Sequence, residues 1–224
     1  MTPGENDCGT ERPLRKDAER NRQRILAAAD EVFTERGLEV SLDEVARHAG
    51  VGVGTVYRRF TDKDELVATL FATHVNDIAD KAEQALEMPD PWEGLVWFLH
   101  QMVTKMADNV GLRQLILYAS YAEDHVAYAR QTMFPRVQTL IERAKATGQA
   151  RADLAPTDVP FIALMLSTAT EYAQQTRPEI WRRYLTLLTD GMRSSRHATT
   201  PLPVPALAPE EMEITMRQRI RRDR

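Results

Sequence analysis

A single cysteine in 224 residues, Cys8, leaves nothing from which to build a disulfide framework or a cysteine-based zinc site. That suits a reducing compartment, and a cytoplasmic location is expected. No stretch approaches the run of about 18 apolar residues that a membrane span needs. The opening residues, MTPGENDCGTERP, have no apolar stretch of the kind a secretory leader carries, so none is expected. The five histidines, His48, His74, His100, His125 and His197, include no pair at metal-ligand spacing on one helical turn, and no metal is expected. Gly50-Val-Gly52-Val-Gly54 lacks the third glycine of a dinucleotide loop, since Thr55 stands there. With no G-x-S-x-G either, neither a cofactor nor an enzymatic activity is expected. An excess of acid over base, 33 against 29, excludes general coating of nucleic acid. A local basic surface stays open, because distribution rather than total charge decides it.

What the chain does have is helical periodicity. Ile25, Leu26, Ala29, Val32 and Phe33 form the inner stripe of an amphipathic helix that Gly37 is placed to stop. Ser41 and Glu44 form a capping box before a short helix that Gly50 breaks. A second short helix is expected from about Val53 to Phe60. The weaker box Thr61-Asp-Lys-Asp64 then opens a long helix to about Leu86. Asp90, Pro91 and Glu93 read as N-cap, first and third positions of the next helix. Further helices fit 112–121, 123–146 with a kink or interruption at Pro135, 158–175 and 178–194. No strand and no internal repeat is evident. The fold class is all-α: a helix-turn-helix three-helix domain joined by a long helix to a larger helical domain. The boundaries are a flexible basic tail over 1–16, the small domain over 17–66, the larger domain over 67–196, and a proline-rich, basic tail over 197–224.

Residues 42–60, LDEVARHAGVGVGTVYRRF, have the form of a helix-turn-helix. Ala46 is small where the two helices cross, and Gly50 sits in the turn. At a rotation of about 100° per residue, Val53, Val56 and Phe60 fall within roughly 60° of one another and are expected to point inward. Arg58 is then nearly opposite, flanked by Gly54 and Thr55, with Tyr57 and Arg59 at the edges. A second helix so presented fits a major groove. Arg58 and Thr55 would meet base edges, arginine being shaped to donate twice to guanine. Tyr57 and Arg59 would meet the phosphate walls. Ser41 and Lys63 begin neighbouring helices, where amides and side chains clamp phosphates. The competing reading is a three-helix unit that packs as structure, with its arginines merely solvated. An outward aromatic, Tyr57, has no packing reason to be there.

The stretch from Asn21 to about Asp80 resembles the DNA-binding domain of TetR-family regulators. The residues that carry the resemblance are ILAAADEVFTERG and SLDEVARHAGVGVGTVYRRFTDKDELV. The order G-T-V-Y-x-x-F-x-x-K-x-x-L, from Gly54 to Leu66, is the most specific part. The resemblance is close over about a quarter of the chain. It implies DNA contacts at Ser41, Val53, Gly54, Thr55, Tyr57, Arg58, Arg59 and Lys63. Arg59 departs from the family, in which histidine is frequent at that place. The resemblance further implies a repressor, released from DNA by a ligand that changes the dimer's geometry. Two alternatives remain at this point: a helical ligand-binding or interaction protein that reads no DNA, and an enzyme on an all-α scaffold.

The helix at 158–175 is apolar nearly all round, and a helix buried on both sides needs two partners. A homodimer is therefore expected, with Ile162, Leu166, Ala169, Ala173, Trp181, Tyr184, Leu185 and Leu188 at the interface. A palindromic site read by two recognition helices requires the same twofold axis. Helices rich in Met, Trp and Tyr with isolated polar groups suit an orientable, mostly apolar small molecule. The expected lining is Trp97, His100, Met102, Met106, Tyr118, Tyr121, His125, Met133, Phe134, Phe161, Met165, Thr168, Glu171 and Tyr172.

Overall fold

A computed structural model describes residues 11–118, 123–194 and 208–211, with side chains over 17–114, 127–194 and 208–211. The tail at 1–10 with Cys8, Tyr121, the side chains of Tyr118 and His125, and most of the C-terminal tail lie outside the described residues. Nine α-helices are described: α1 Glu11–Arg36, α2 Leu42–Ala49, α3 Val53–Tyr57, α4 Lys63–Leu86, α5 Pro91–Asp108, α6 Val110–Tyr118, α7 Glu123–Ala146, α8 Asp158–Ala173 and α9 Trp181–Met192. A single 3-10 turn, Pro178–Ile180, leads into α9. Among the described residues the only extended pairing is an isolated bridge between Ala150 and Arg193. The fold is all-α.

Several helix ends follow from the local chemistry. Ser41 accepts the Glu44 amide while Glu44 accepts the Ser41 amide, so both halves of the capping box are made. Gly50 ends α2 at φ 63°, in the left-handed region that a side chain disfavours. Asp90 Oδ1 accepts from the Trp92 and Glu93 amides at 2.8 and 3.1 Å, with Pro91 in the first turn of α5.

Other ends differ from expectation. α1 begins at Glu11, so 11–16, read as part of a flexible tail, is helical in its backbone. Pro13 in the first turn is compatible with this, because its missing N–H is one that no helix start can satisfy. The cap of α4 is Asp62, which accepts the Glu65 amide at 2.9 Å, one residue later than a box built on Thr61. α6 starts at Val110 because the Asn109 side chain accepts the Leu112 amide at 2.7 Å. α7 runs through Pro135 without interruption.

α4 is continuous across the expected boundary at residue 66 and lies along α5 and α7. α5 packs on α7, α8 and α9, and α1 packs on α2 and α6. Trp92, Leu95, Phe98, Leu99, Met106, Leu140, Ile141 and Leu166 are essentially sealed in the core of the larger unit. Removing such side chains from water is its main source of stability.

Candidate nucleic-acid interface

The N-terminal unit is a small core with one face left bare. Ile25, Ala29, Val32 and Phe33 of α1 meet Val45 and Ala46 of α2, Val56 of α3, Phe60, and Leu66 and Val67 of α4, all buried. Ala46 has no exposed surface, as expected where two helices cross closely. The turn is held from outside: Arg24 Nη2 donates to the Ala49 carbonyl at 2.8 Å, satisfying an acceptor that the end of α2 leaves free. The Arg22 guanidinium stands 5.7 Å over the Phe60 ring.

α3 is shorter than expected. Its regular part ends at Tyr57, and the Arg59 and Phe60 amides both return to the Val56 carbonyl at 2.9 Å. Phe60 therefore lies beyond the helix, where a rotation of 100° per residue no longer applies. The inward direction is set by Val56, fully buried, with Phe60 folded under it. Val53, expected inside, is 41% exposed. It begins the helix, and nothing covers it there. Tyr57 is 52% exposed, Gly54, Arg58 and Arg59 are exposed, and Thr55 is half-buried.

Two more residues of this region have partners within the chain. Ser41 Oγ both accepts the Glu44 amide at 3.3 Å and donates to Glu44 Oε2 at 3.1 Å. Its amide and Arg36 hold the Glu44 carboxyl down to a pKa of about 2, so that group stays anionic and keeps Arg36 at 2.7 Å. The Lys63 ammonium donates to the Leu38 carbonyl in the α1–α2 turn.

The larger unit divides the apolar residues of α8 and α9 differently from expectation. Ile162, Leu166, Trp181 and Leu185, expected between subunits, are buried within this chain. The outward apolar groups are Met165 at 53%, Tyr172 at 90%, Tyr184 at 45% and Leu187 at 56%. Ala169, Ala173 and Leu188 are half-buried between the two sets. The reason is the helix itself: both faces of α8 are apolar, and the one bearing Ile162 and Leu166 turns toward α5.

Residues expected to line a pocket fall into buried, half-buried and outward groups. Met102 and Met106 are core, with Met106 sulfur 3.9 Å from Ser167 Oγ. Met165 and Tyr172 point outward. Trp97, Met133, Phe134, Phe161, Thr168 and Glu171 are half-buried on α5, α7 and α8. His100 packs edge-on to Trp181 at 5.1 Å and takes Arg182 Nη1 at 3.0 Å on its Nε2. Arginine can only donate, so Nε2 is an acceptor and the ring is neutral. Burial, then the Arg182 charge, lowers its pKa.

Sequence reading missed a polar junction between the two units. His74, buried, lies 2.9 Å from the Asp30 carboxylate through Nε2, and Asn109 Nδ2 stands 3.4 Å from the same ring nitrogen. Beside it an open cleft of about 260 Å³ is lined by Asp30, Asp77, Lys81, Thr104, Lys105, Asp108 and others from α1, α4 and α5. None of the expected lining residues is in it. Among the described residues no three acidic, histidine or cysteine side chains are grouped as metal ligands, and no helix is long and apolar enough to cross a membrane.

A buried crossing, a glycine-broken turn and a short helix bare on one side make up a helix-turn-helix on an all-α body. That is the architecture of a class of bacterial regulators, and the comparisons agree. A family model described as "Bacterial regulatory proteins, tetR family" matches residues 25–70, and one described as "Transcriptional regulator SbtR-like, C-terminal domain" matches 90–194. The TetR transcription regulatory protein from Mycobacterium vanbaalenii is 32% identical at a TM-score of 0.58, over 81% of this chain and 99% of that one. The chain belongs to the TetR family of transcriptional regulators. An HTH-type transcriptional regulator of Staphylococcus aureus (strain USA300) is 41% identical over 75 residues, 30% of this chain and 40% of that protein's length. The chain thus spans well under two thirds of the curated relatives it matches. The fold is also that of the regulator FadR from Bacillus subtilis, solved with stearoyl-CoA: 17% identity, TM-score 0.61, over 76% of this chain and 99% of that one.

Proposed function

We propose that the chain is a cytoplasmic repressor that binds a palindromic DNA operator as a homodimer and leaves it when a small, mostly apolar ligand binds. The observation that carries this is the bare face of α3. Val53, Gly54 and Tyr57 of α3 and Arg58 and Arg59 just after it are all exposed, while Val56 and Phe60 are buried behind them. Two adjacent arginines beside a half-exposed aromatic offer donors and a flat ring to one partner, and a duplex supplies both phosphates and base edges for them. Thr55 and Arg58 read bases, and Tyr57, Arg59 and Ser41 position the phosphates. Lys63 keeps one of its three N–H groups on Leu38 and has two for a phosphate.

The dimer forms on α8 and α9 through the outward set, Met165, Tyr172, Tyr184 and Leu187, with Ala169, Ala173 and Leu188 at its margin. A face of that kind is the sort that a second copy covers. The ligand lodges where α5 packs against α7 and α8, between Trp97, Met133, Phe134, Phe161, Thr168 and Glu171. Coupling is reciprocal: operator DNA weakens the ligand by the factor by which the ligand weakens DNA. Selection of duplexes from a random pool by the full chain, followed by salt titration of the winner, tests the reading. Recovery of a palindrome bound with a steep salt dependence supports it. Failure to enrich any sequence refutes it.

A further inference from the structure

The turn between α1 and α2 is held by two side chains from elsewhere in the chain. Leu38 donates its amide to Gln114 Oε1 of α6 at 2.7 Å, across 76 positions of sequence. The Leu38 carbonyl accepts the Lys63 ammonium at the start of α4. Both polar backbone groups of one residue are thus bound, one by the larger unit and one by the small unit.

The surroundings are shaped for this contact. Gly37 has φ +76°, and a Cβ there would stand 2.4 Å from Gln114 Oε1, so the glutamine amide occupies the space that any other residue would fill. Gly111, one turn earlier on α6, lets that helix lie against α1, since a Cβ there would come within 2.9 Å of the Phe33 carbonyl. α6 is itself fixed. The neighbouring Arg113 is buried and donates to the Met106 and Ala107 carbonyls at 3.1 and 2.9 Å, and to Gln174 Oε1 at 3.3 Å just past the end of α8. Gln174 follows Tyr172, the most exposed apolar residue on that helix, by two positions. A continuous set of bonds therefore runs from α8 through Gln174, Arg113 and Gln114 to Leu38.

We infer that Gln114 is a positioning residue for operator reading: through the Leu38 amide it fixes the angle of the helix-turn-helix to α8, and so determines which half-site spacing the dimer accepts. This rests on the dimeric DNA reading proposed above. Two recognition helices measure the distance between half-sites only if each is rigid relative to the twofold axis. A head freed at Leu38 still reads its own half-site but tolerates a wrong spacing.

The experiment uses the full chain and its selected operator. Affinities are measured for that duplex and for two others with one base pair added or removed at the centre. Amide exchange at Leu38 is followed in the free protein. Gln114→Leu removes the acceptor oxygen, and Gln114→Glu keeps one. Where Gln114→Leu does not fold, Gln114→Met retains the length of the side chain without its acceptor. The expected result is a loss of spacing preference by about threefold to tenfold in the variant without an acceptor, the scale of one net hydrogen bond. Leu38 exchange should quicken there, and Gln114→Glu should restore both. Equal losses on all three duplexes, an unchanged preference, or unchanged Leu38 exchange overturns the role of Gln114. Wild-type protein that selects no duplex overturns the DNA reading instead, while Leu38 exchange still decides whether Gln114 holds the turn.

Discussion

Arg58 reaches back one turn along α3 and donates from Nη2 to Thr55 Oγ1 at 3.4 Å. The bond is long and exposed, so it pre-aims the guanidinium without trapping it. Arg58→Ala should cost about 1–3 kcal/mol at the operator and relax preference at one base pair of each half-site. Lys63→Ala should weaken operator and random duplex about equally and reduce the salt slope by about one unit. Titrations of both variants on both duplexes at several salt concentrations check this. Indistinguishable behaviour of the two would mean that Arg58 reads no base.

The apolar groups of α8 and α9 divide into two sets with different expected effects. Tyr172→Asp or Leu187→Asp should shift sedimentation toward monomer while circular dichroism stays helical, because each changes an outward residue. Leu166→Ala leaves a cavity in the chain's own core and should cost about 2–5 kcal/mol in urea unfolding. A monomeric wild-type protein at micromolar concentration would rule out the first expectation.

Two glycines in helices offer a matched pair. A Cβ on Gly94 would stand 2.6 Å from the Ala85 carbonyl, which is backbone and cannot step aside. Gly94→Ala should destabilise by about 1–3 kcal/mol, the cost of overpacking. Gly191 has nothing within 4 Å, so Gly191→Ala should be neutral or stabilising by up to about 0.5 kcal/mol. Denaturant midpoints of the two variants should move in opposite directions or, for the second, not at all.

The His74 ring bonds Asp30 and holds its carboxyl below the usual 3.8, an effect that outweighs the opposing one of partial burial. The folded chain thus binds this proton less readily than the unfolded one. The contribution to stability is complete above the unfolded pKa and is lost as pH falls through the lowered folded value. Asp30→Asn should be less stable than wild type at pH 7, and the gap should narrow on acidification below pH 4. Urea unfolding at both pH values measures this, and a gap that widens in acid contradicts it.

The parts of the fold legible from sequence were those written within a few neighbouring residues. Ser41 with Glu44, Gly50, and Asp90 with Pro91 and Glu93 announce helix ends because cap and capped amide lie within one turn. Pro13 was such a signal for the start of α1, and Asn109 for the start of α6. Val53 shares the side of Val56 by rotation, but it stands at the first position of α3, where no other element covers it. The apolar residues of α8 were split wrongly for a different reason. A helix greasy on both sides does not say which side meets its own core, and burial settles that only when α5 is in place. Gln114 and Arg113 had no local signal at all. Their partners lie tens of residues away, and only the packed chain brings them together.

The contact of Gly111 with Phe33 bears on how such a regulator can be recombined. A hybrid that joins this chain's first sixty or so residues to another body through α4 keeps every residue of the helix-turn-helix, yet it takes away the surface on which α1 rests. A recipient with any larger residue at the place of Gly111 would press on the Phe33 carbonyl, and one without an amide or carboxyl at the place of Gln114 would leave the Leu38 N–H unmatched. The smallest transplantable unit is therefore discontinuous in sequence: residues 11–66 together with the first turn and a half of α6.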